Sequence, residues 1–372
     1  MLHQINLPGY ATILNDFVHF QQQLLEFACT PAQSDPLMRE KLKQVFPGDF
    51  GDWLWAKLWK GKPPQIGQHL QRLTNFIEDH PTKRDTILTA FAHDIDFYDH
   101  LEDPTFQFSY STFDRDIQNV VKPLMVACYD LLSEGFLYSV QGTEQHLSRR
   151  DVATIFWKQN QDILKVCPSC DGQPPRVTSD RVYSDVDHFF PKSRYPFLSI
   201  HPHNLVPICT DCNRYFKGDA DPIANHQNES LLDIFHPYGR PAIKSITIQT
   251  SRGNTGGYCI QVDETQYGTP VKASLRWKNL NNVLNLNLLW EDCYLPDVVN
   301  ELVEHLRDIG NSRRDRGEQV GKDIVEDELK SIRDNYQRNV GKRLYYVLKY
   351  SYACYALSHQ DELDRLVQVV TG

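Results

Sequence analysis

Apolar residues recur at helical spacing through the first 160 positions of the chain. Ile13, Phe17, Phe20, Leu24 and Phe27 fall three or four apart, with Leu14, Val18 and Leu25 beside them, the stripe a helix turns toward a core. PGDFGDW (47–53) and GKPP (61–64) read as turns between helices. Ser148 stands in a helix N-cap position, and the run from it to Lys165 reads as one capped helix. Residues 166–222 break the pattern, being short, turn-rich and dense in Cys, His, Asp, Asn and Pro. Such a segment holds too little apolar material for a core of its own, so a metal staple is expected. Alternation then appears at Ile246 and Ile248 and at Tyr258, Ile260 and Val262, with GNTGG (253–257) as a hairpin turn. From about residue 295 helical spacing returns. Val299, Leu302, Leu306 and Ile309 share one face, and Ile332, Tyr336, Val340, Leu344 and Val347 another, with Gly341 a weak point.

The chain has 372 residues, enough for two or three domains. Its 41% apolar and 23% charged content suits a folded soluble protein. No run approaches the ~18 apolar residues of a membrane span. The first residues, MLHQINLPGY, lack the basic start and apolar stretch of a secretory signal, so the expected compartment is the cytoplasm, with no membrane partner. A net charge of −9 excludes coating nucleic acid through bulk positive charge, though not a local nucleic-acid site.

Of nine cysteines, Cys29, Cys128, Cys259, Cys293 and Cys354 stand alone, most simply as small core residues. The other four form two C-x-x-C knuckles, Cys167/Cys170 and Cys209/Cys212, 38 residues apart. Two intervening residues let both sulfurs of a knuckle reach one ion, and two knuckles complete a closed tetrahedral site, which predicts structural zinc.

A second signal lies between and beyond the knuckles. Asp187-His188 ends a predicted strand (181–187), Pro191 breaks the chain, and Asn204 precedes the apolar run Leu205 to Ile208. The second knuckle opens a short helix carrying Asn213, Arg214 and Lys217. Strand, loop, strand and helix with these side chains can clamp one divalent ion against a phosphate. D-H-x-x-P, N-L-V-P and C-x-x-C-N with a following Lys, taken in this order, resemble the HNH endonucleases, a ββα-metal fold. Asp187, His188, Asn204 and Asn213 fall on that family's motif positions, in the variant with Asn last, as in the HNH domain of RNA-guided DNA nucleases. Asp185 matches an acidic residue often seen there, and the cysteines match the zinc-stapled subgroup. The resemblance covers about residues 160–222. IFHPYGRP (234–241) is weakly similar to some stand-alone bacterial members, and the first 160 residues resemble no family.

The resemblance implies an α+β protein, mainly helical, with a central ββα-metal module stapled by a four-cysteine zinc site. The expected divisions are a helical region at 1–160, the nuclease module at 161–222 and a hairpin followed by helices at 223–372. It also implies hydrolysis of phosphodiester bonds, with DNA the expected substrate, leaving 5′ phosphate and 3′ hydroxyl ends. His188, as neutral imidazole, would take a proton from water. Asp187 and Asn213 would hold Mg²⁺ or Mn²⁺, Asn204 would tie the loop that orients His188, and Arg214, Lys217, Lys192 and Arg194 would meet phosphates. Segment 167–218 holds six Lys/Arg and five Asp, so its local charge nearly cancels before any metal binds. A bacterial defence or mobile-element nuclease fits such an architecture, with the helical regions sensing a trigger or holding a protein partner.

Other clusters read more plainly. HDIDFYDHLED (93–103) is an acidic surface or helix end that could also bind metal, and ELVEH (301–305) a solvated helix face. His201 and His203 are loop histidines with a structural role expected. SRRDR (312–316), Arg333, Arg338, Lys342, Arg343 and Lys349, with Tyr345 and Tyr346, could extend a DNA path. The rival readings are a non-catalytic zinc module that binds nucleic acid or protein, an RNase using the same motif, and a nickase within a larger complex.

Overall fold

A computed structural model describes residues 1–30, 39–58, 66–140, 143–173, 176–178, 182–223, 230–253, 256–263 and 270–371. The GKPP turn (61–64) and residues 254–255 of the GNTGG turn lie outside the described residues. The chain is mainly helical with small two-stranded sheets and a buried four-cysteine cluster. No described helix is long and apolar enough to cross a membrane.

The first region runs through α1 (Tyr10–Ala28), α2 (Arg39–Val45), α3 (Asp49–Leu58), α4 (Ile66–Asp79), α5 (Lys83–Ile95) and α6 (Arg115–Glu134). In α1, Leu14, Phe17, Val18, Phe20, Leu24 and Leu25 are buried, as the spacing predicts, while Ile13 and Phe27 lie half-buried at the edge of the face. The expected turn at 47–53 is confined to its first residues. Asp49 and Asp52 occupy the first turn of α3, where acidic groups suit the helix dipole, and Leu54 and Leu58 are buried. A hairpin that the sequence pattern did not announce, β1 (Phe136–Val140) with β2 (Thr143–Leu147), follows α6. Phe136 stacks on Phe17 at 3.8 Å and meets Phe20, Phe50 and Trp53, so aromatic packing holds this hairpin.

The helix predicted from Ser148 forms as α7 (Arg149–Asn160), with a reciprocal capping box between Ser148 and Asp151. It ends at Asn160, short of Lys165, and the Asn160 side-chain amide donates to the Asn6 carbonyl. The central segment holds β3 (Arg176–Val177), β4 (Val182–Tyr183), β5 (Asp185–His188), β6 (Leu205–Ile208) and a π-helix, Asp211–Lys217. β5 and β6 pair antiparallel, with Asp185 opposite Ile208 and His188 opposite Leu205.

The last region contains the predicted hairpin as β7 (Thr247–Arg252) and β8 (Tyr258–Asp263). Helices begin at residue 270, earlier than expected, in α8 (Pro270–Leu284), α9 (Leu286–Leu288) and α10 (Leu295–Asp315). The apolar face from Ile332 to Val347 is split. α11 (Lys322–Arg338) stops, Gly341 adopts φ +78°, and α12 (Tyr346–Ser358) and α13 (Gln360–Thr371) follow. The carbonyl of Gly341 accepts from the Lys165 amide at 2.7 Å, so this break receives the chain just before the first knuckle.

One buried apolar cluster runs from Met1 to Val370 through all three stretches, 1–160, 161–222 and 223–372. Asp171, fully buried beside Cys170, ties them together. Its carboxylate meets His3 Nε2 at 2.7 Å and accepts from the Val347 amide at 2.9 Å, and its carbonyl accepts from the Tyr345 amide. Behind the central sheet lies a layer of rings. His203 stacks on Tyr98 at 3.6 Å, His201 meets Phe97 at 5.1 Å, and His236 meets Phe189 at 4.9 Å. Burial pushes His201 down to about 3 and His203 down to about 4, and holds His236 well below the ordinary histidine range.

These rings stay neutral in the fold, whereas the unfolded chain binds their protons near pH 6.5. Their contribution to stability is therefore complete above about pH 6.5 and is lost as pH falls toward 4. Urea midpoints are expected to drop between pH 7.5 and pH 5. His203→Phe, which keeps a ring on Tyr98, should flatten that slope, and an unchanged slope would contradict the burial argument.

Candidate functional site

The four sulfurs of Cys167, Cys170, Cys209 and Cys212 lie within 4.8 Å of one another and are buried. Cys170 and Cys209 Sγ are 4.0 Å apart, close to the ~3.8 Å edge of a tetrahedron with Zn–S bonds of about 2.3 Å. The amides of Cys209 and Cys212 point at the sulfurs of Cys167 and Cys209, each at 3.4 Å, the outer-shell support usual for a thiolate site. Cys170 and Cys212 are pushed well above the ordinary thiol range by hydrogen bonding with the neighbouring sulfurs, Cys167 first. Four thiolates in one place need a cation, so this donor set fits a structural metal such as zinc. Gly172 fits the first knuckle through lack of a side chain, since a Cβ there would stand 3.1 Å from Cys170 Sγ and 3.0 Å from Tyr294.

The second knuckle delivers the chain into the π-helix, whose side chains reach back to β5. Alternation along the strand puts Asp185 and Asp187 on the same side, facing this helix. Lys217 Nζ donates to Asp187 Oδ1 at 3.0 Å and to the His188 carbonyl at 2.7 Å. Asn213 Nδ2 donates to Asp185 Oδ2 at 3.2 Å, and Arg214 adds Nε to the same oxygen at 3.0 Å. Asn213 is thus joined to Asp185 rather than to Asp187. Asp187 Oδ2 is buried without a partner among the described residues, and Asn213 Oδ1 likewise accepts nothing there. Burial pushes the Asp187 carboxyl up to about 6, against the lowering pull of Lys217. An orphaned carboxylate oxygen and a free amide oxygen suit a hard divalent cation.

His188 lies on the other side of the strand, 8% exposed, with its ring edge-on to Tyr129 at 4.3 Å. Its Nε2 is 2.8 Å from the Ser199 carbonyl. A carbonyl only accepts, so Nε2 carries the proton and Nδ1 the lone pair. Nδ1 makes no hydrogen bond to a described residue. Burial, then the nearby Lys192, pushes the imidazole down to about 3, so it is neutral at working pH. Among the described residues, Asp185, Asp187 and His188 do not form a set of donors within ligand reach of one another; the cysteines alone do.

Asn204, fully buried, holds the intervening loop. Its Oδ1 accepts from the Phe190 amide at 2.7 Å, and its Nδ2 donates to the carbonyls of Phe190 and Leu198. The same loop carries Ser199, so Asn204 acts on the orientation of His188 through Ser199. Of the expected phosphate contacts, Arg214 is exposed but paired with Asp185, and Arg194 reaches the buried Asp221 at 3.3 Å. Lys217 differs most from expectation, because its ammonium is buried inside the module. Lys192 is half-buried over the Tyr129 ring at 4.4 Å.

Several members of the other clusters have structural partners. Asp94 accepts from the amides of Ser109 and Tyr110, and Glu301 pairs with Lys349 at 2.6 Å. Arg313 and Arg316 bond Glu318, and Arg314 bonds the Val370 and Thr371 carbonyls. Tyr129, Arg149 and Ser199 stand at the site without any sequence signal, since none belongs to a spaced motif.

A 54-residue stretch of the chain is 39% identical to Protein ea31 of Escherichia phage lambda, covering 14% of this chain and 17% of that protein. The likeness therefore spans about a sixth of that curated relative's length. No protein-family model and no solved structure matches the chain.

Metal analysis of purified protein is expected to find about one tightly bound zinc per chain, with Cys167→Ser or Cys209→Ser losing it together with the fold. Asn204→Ala should cost about 2–4 kcal/mol in urea unfolding, because it strands the buried amide and carbonyl of Phe190 and removes one of the two donors to the Leu198 carbonyl.

Proposed function

We propose that this chain is a metal-dependent endonuclease of the HNH type that hydrolyses phosphodiester bonds in DNA. The observation that carries the reading is the state of His188: a neutral imidazole at the end of β5, its Nε2 proton committed to the Ser199 carbonyl and its Nδ1 lone pair open. A lone pair held in that way can accept a proton from water as water attacks phosphorus. Among the described residues, the Asp187 carboxylate, adjacent in sequence, keeps a buried oxygen without a partner, and the oxygen of the Asn213 amide makes no hydrogen bond. A divalent ion, Mg²⁺ or Mn²⁺, held by Asp187 and Asn213 would act as Lewis acid toward the phosphate and the leaving 3′ oxygen. Lys217 counters the Asp187 charge within the module, and Asn204 and Ser199 hold the imidazole in its tautomer. The exposed Arg194 and Arg214, with Lys192, supply positive charge around the site. The zinc knuckles hold β5, β6 and the helix in register but take no part in the chemistry. The partial likeness to a phage protein is compatible with a setting in phage or mobile elements.

The second reading, a zinc module that only binds, draws on one observation. Asp187 already has an ammonium partner in Lys217, and Asn213 has Asp185, so the module is electrostatically stable without a second ion.

Supercoiled plasmid should be nicked in Mg²⁺ or Mn²⁺ and left intact by the zinc-loaded protein when neither ion is added. His188→Ala should lower the rate at least about 100-fold with the fold retained; a rate that survives it would overturn the assignment. The absence of nicking with either ion would favour the binding module, and RNA offered beside DNA separates the RNase. Because the carboxyl of Asp187 is pushed up to about 6 while His188 lies near 3, activity should be full above pH 7. At limiting Mg²⁺ it should fall as pH drops toward about 6, where protons compete with the ion for Asp187, and added Mg²⁺ should move the fall to lower pH. Asp187→Asn should abolish activity across the profile.

A further inference from the structure

The helical region before the knuckles has no role in the nuclease reading, yet one of its side chains stands against His188 and a second lies over the first. Tyr129, near the end of α6, places its ring edge-on to the imidazole at 4.3 Å. Arg149 opens α7, and its guanidinium lies over the same ring at 3.9 Å from the centroid. The β1–β2 hairpin joins the two helices and returns the chain so that residues 20 positions apart meet. Lys192, from the loop after His188, brings a second cation to that ring at 4.4 Å.

Two like charges gathered on one ring are unfavourable unless something anionic offsets them. Arg149 has one carboxylate, the exposed Asp130, at 2.8 Å on a terminal nitrogen. Its Nε is buried and donates to nothing among the described residues. Lys192 has no carboxylate in direct contact among the described residues, and Asp130 and Asp219 offset its charge only from farther away. Positive charge with a spare buried donor, beside an open imidazole lone pair, is the arrangement that receives a phosphate.

We propose that Arg149 and Lys192, on the floor made by Tyr129, form a cradle for a DNA backbone phosphate next to His188, so that the first helical region completes the substrate site. The identity of the anion rests on the nuclease reading; the cradle rests on the ring, the two cations and the unsatisfied Nε. Arg149 and Tyr129 lie outside residues 161–222, so a fragment holding only those residues would lack half of the cradle.

The test is binding of a fluorescein-labelled DNA duplex to the zinc-loaded full chain without added Mg²⁺ or Mn²⁺, by anisotropy, from about 50 to 200 mM salt, beside the plasmid-nicking assay. Arg149→Ala is expected to weaken binding about 5- to 10-fold and to reduce the salt slope by about 1. Arg149→Lys should restore the slope, Lys192→Ala should act like Arg149→Ala, and Lys330→Ala, on an exposed helix face, should change neither. Melting curves show which variants are folded, and Lys192→Ala, on a loop, serves if Arg149→Ala does not fold. Unchanged affinity and slope in both alanine variants would overturn the cradle while nicking by the parent protein left the nuclease reading intact. Slope-dependent binding that needs both cations, with no nicking in either metal, would uphold the cradle and remove the nuclease. No binding by the parent protein at any salt would overturn the cradle.

Discussion

The convergence of four sulfurs from two knuckles 38 residues apart is the constraint on which the central segment depends. That segment carries short strands and one turn-and-a-half of helix, none long enough to be stable alone. Closing the loop between the knuckles sets β5 against β6 and starts the helix whose side chains return to β5. The closure is anchored on both sides. Asp171, beside the first knuckle, binds His3 and the start of α12, while Trp290 donates to the Cys170 carbonyl. Distant parts of the chain thus fix a site they do not belong to in sequence.

Burial gives the polar residues of that site their chemistry. A carboxylate removed from water holds its proton more readily, and an imidazole removed from water holds it less. Asp187 and His188 are neighbours that burial pushes in opposite directions. The strand separates them further, since successive side chains leave on opposite faces. Asp187 is met by the lysine of the helix, and His188 by the carbonyl of the loop. Each partner also fixes geometry: Lys217 bridges to the His188 carbonyl, and the loop that presents Ser199 is held by Asn204.

Charged clusters that look available in sequence are consumed elsewhere in the same way. Asp94 in the acidic run caps backbone amides, and the arginines of SRRDR are taken by Glu318 and by carbonyls near residue 370. Arg240 spans from Glu102 to the carbonyls of Leu231 and Ile234. A run of charge along a chain shows only composition; whether it faces solvent, a helix end or a ligand depends on what packs against it.

Local spacing determined a good part of this protein. The core face of α1, the Ser148 cap, the hairpin at 247–263 and each C-x-x-C knuckle follow from patterns within a few residues, because caps, turns and chelation by a knuckle act over that range, while the tie made by Asn204 is legible through the family resemblance. Tertiary structure alone decided the rest. The β1–β2 hairpin exists because Phe136 finds Phe17 more than a hundred residues away, and α3 takes over a segment rich in turn residues because Leu54 and Leu58 have a core to enter. Lys217 is buried against Asp187 rather than exposed, Asn213 meets Asp185, Tyr129 reaches His188 from α6, and Arg149 lies over the Tyr129 ring. Such partners are set by packing between segments far apart in the chain, and charge and burial at the site follow from that packing rather than from the order of residues around it.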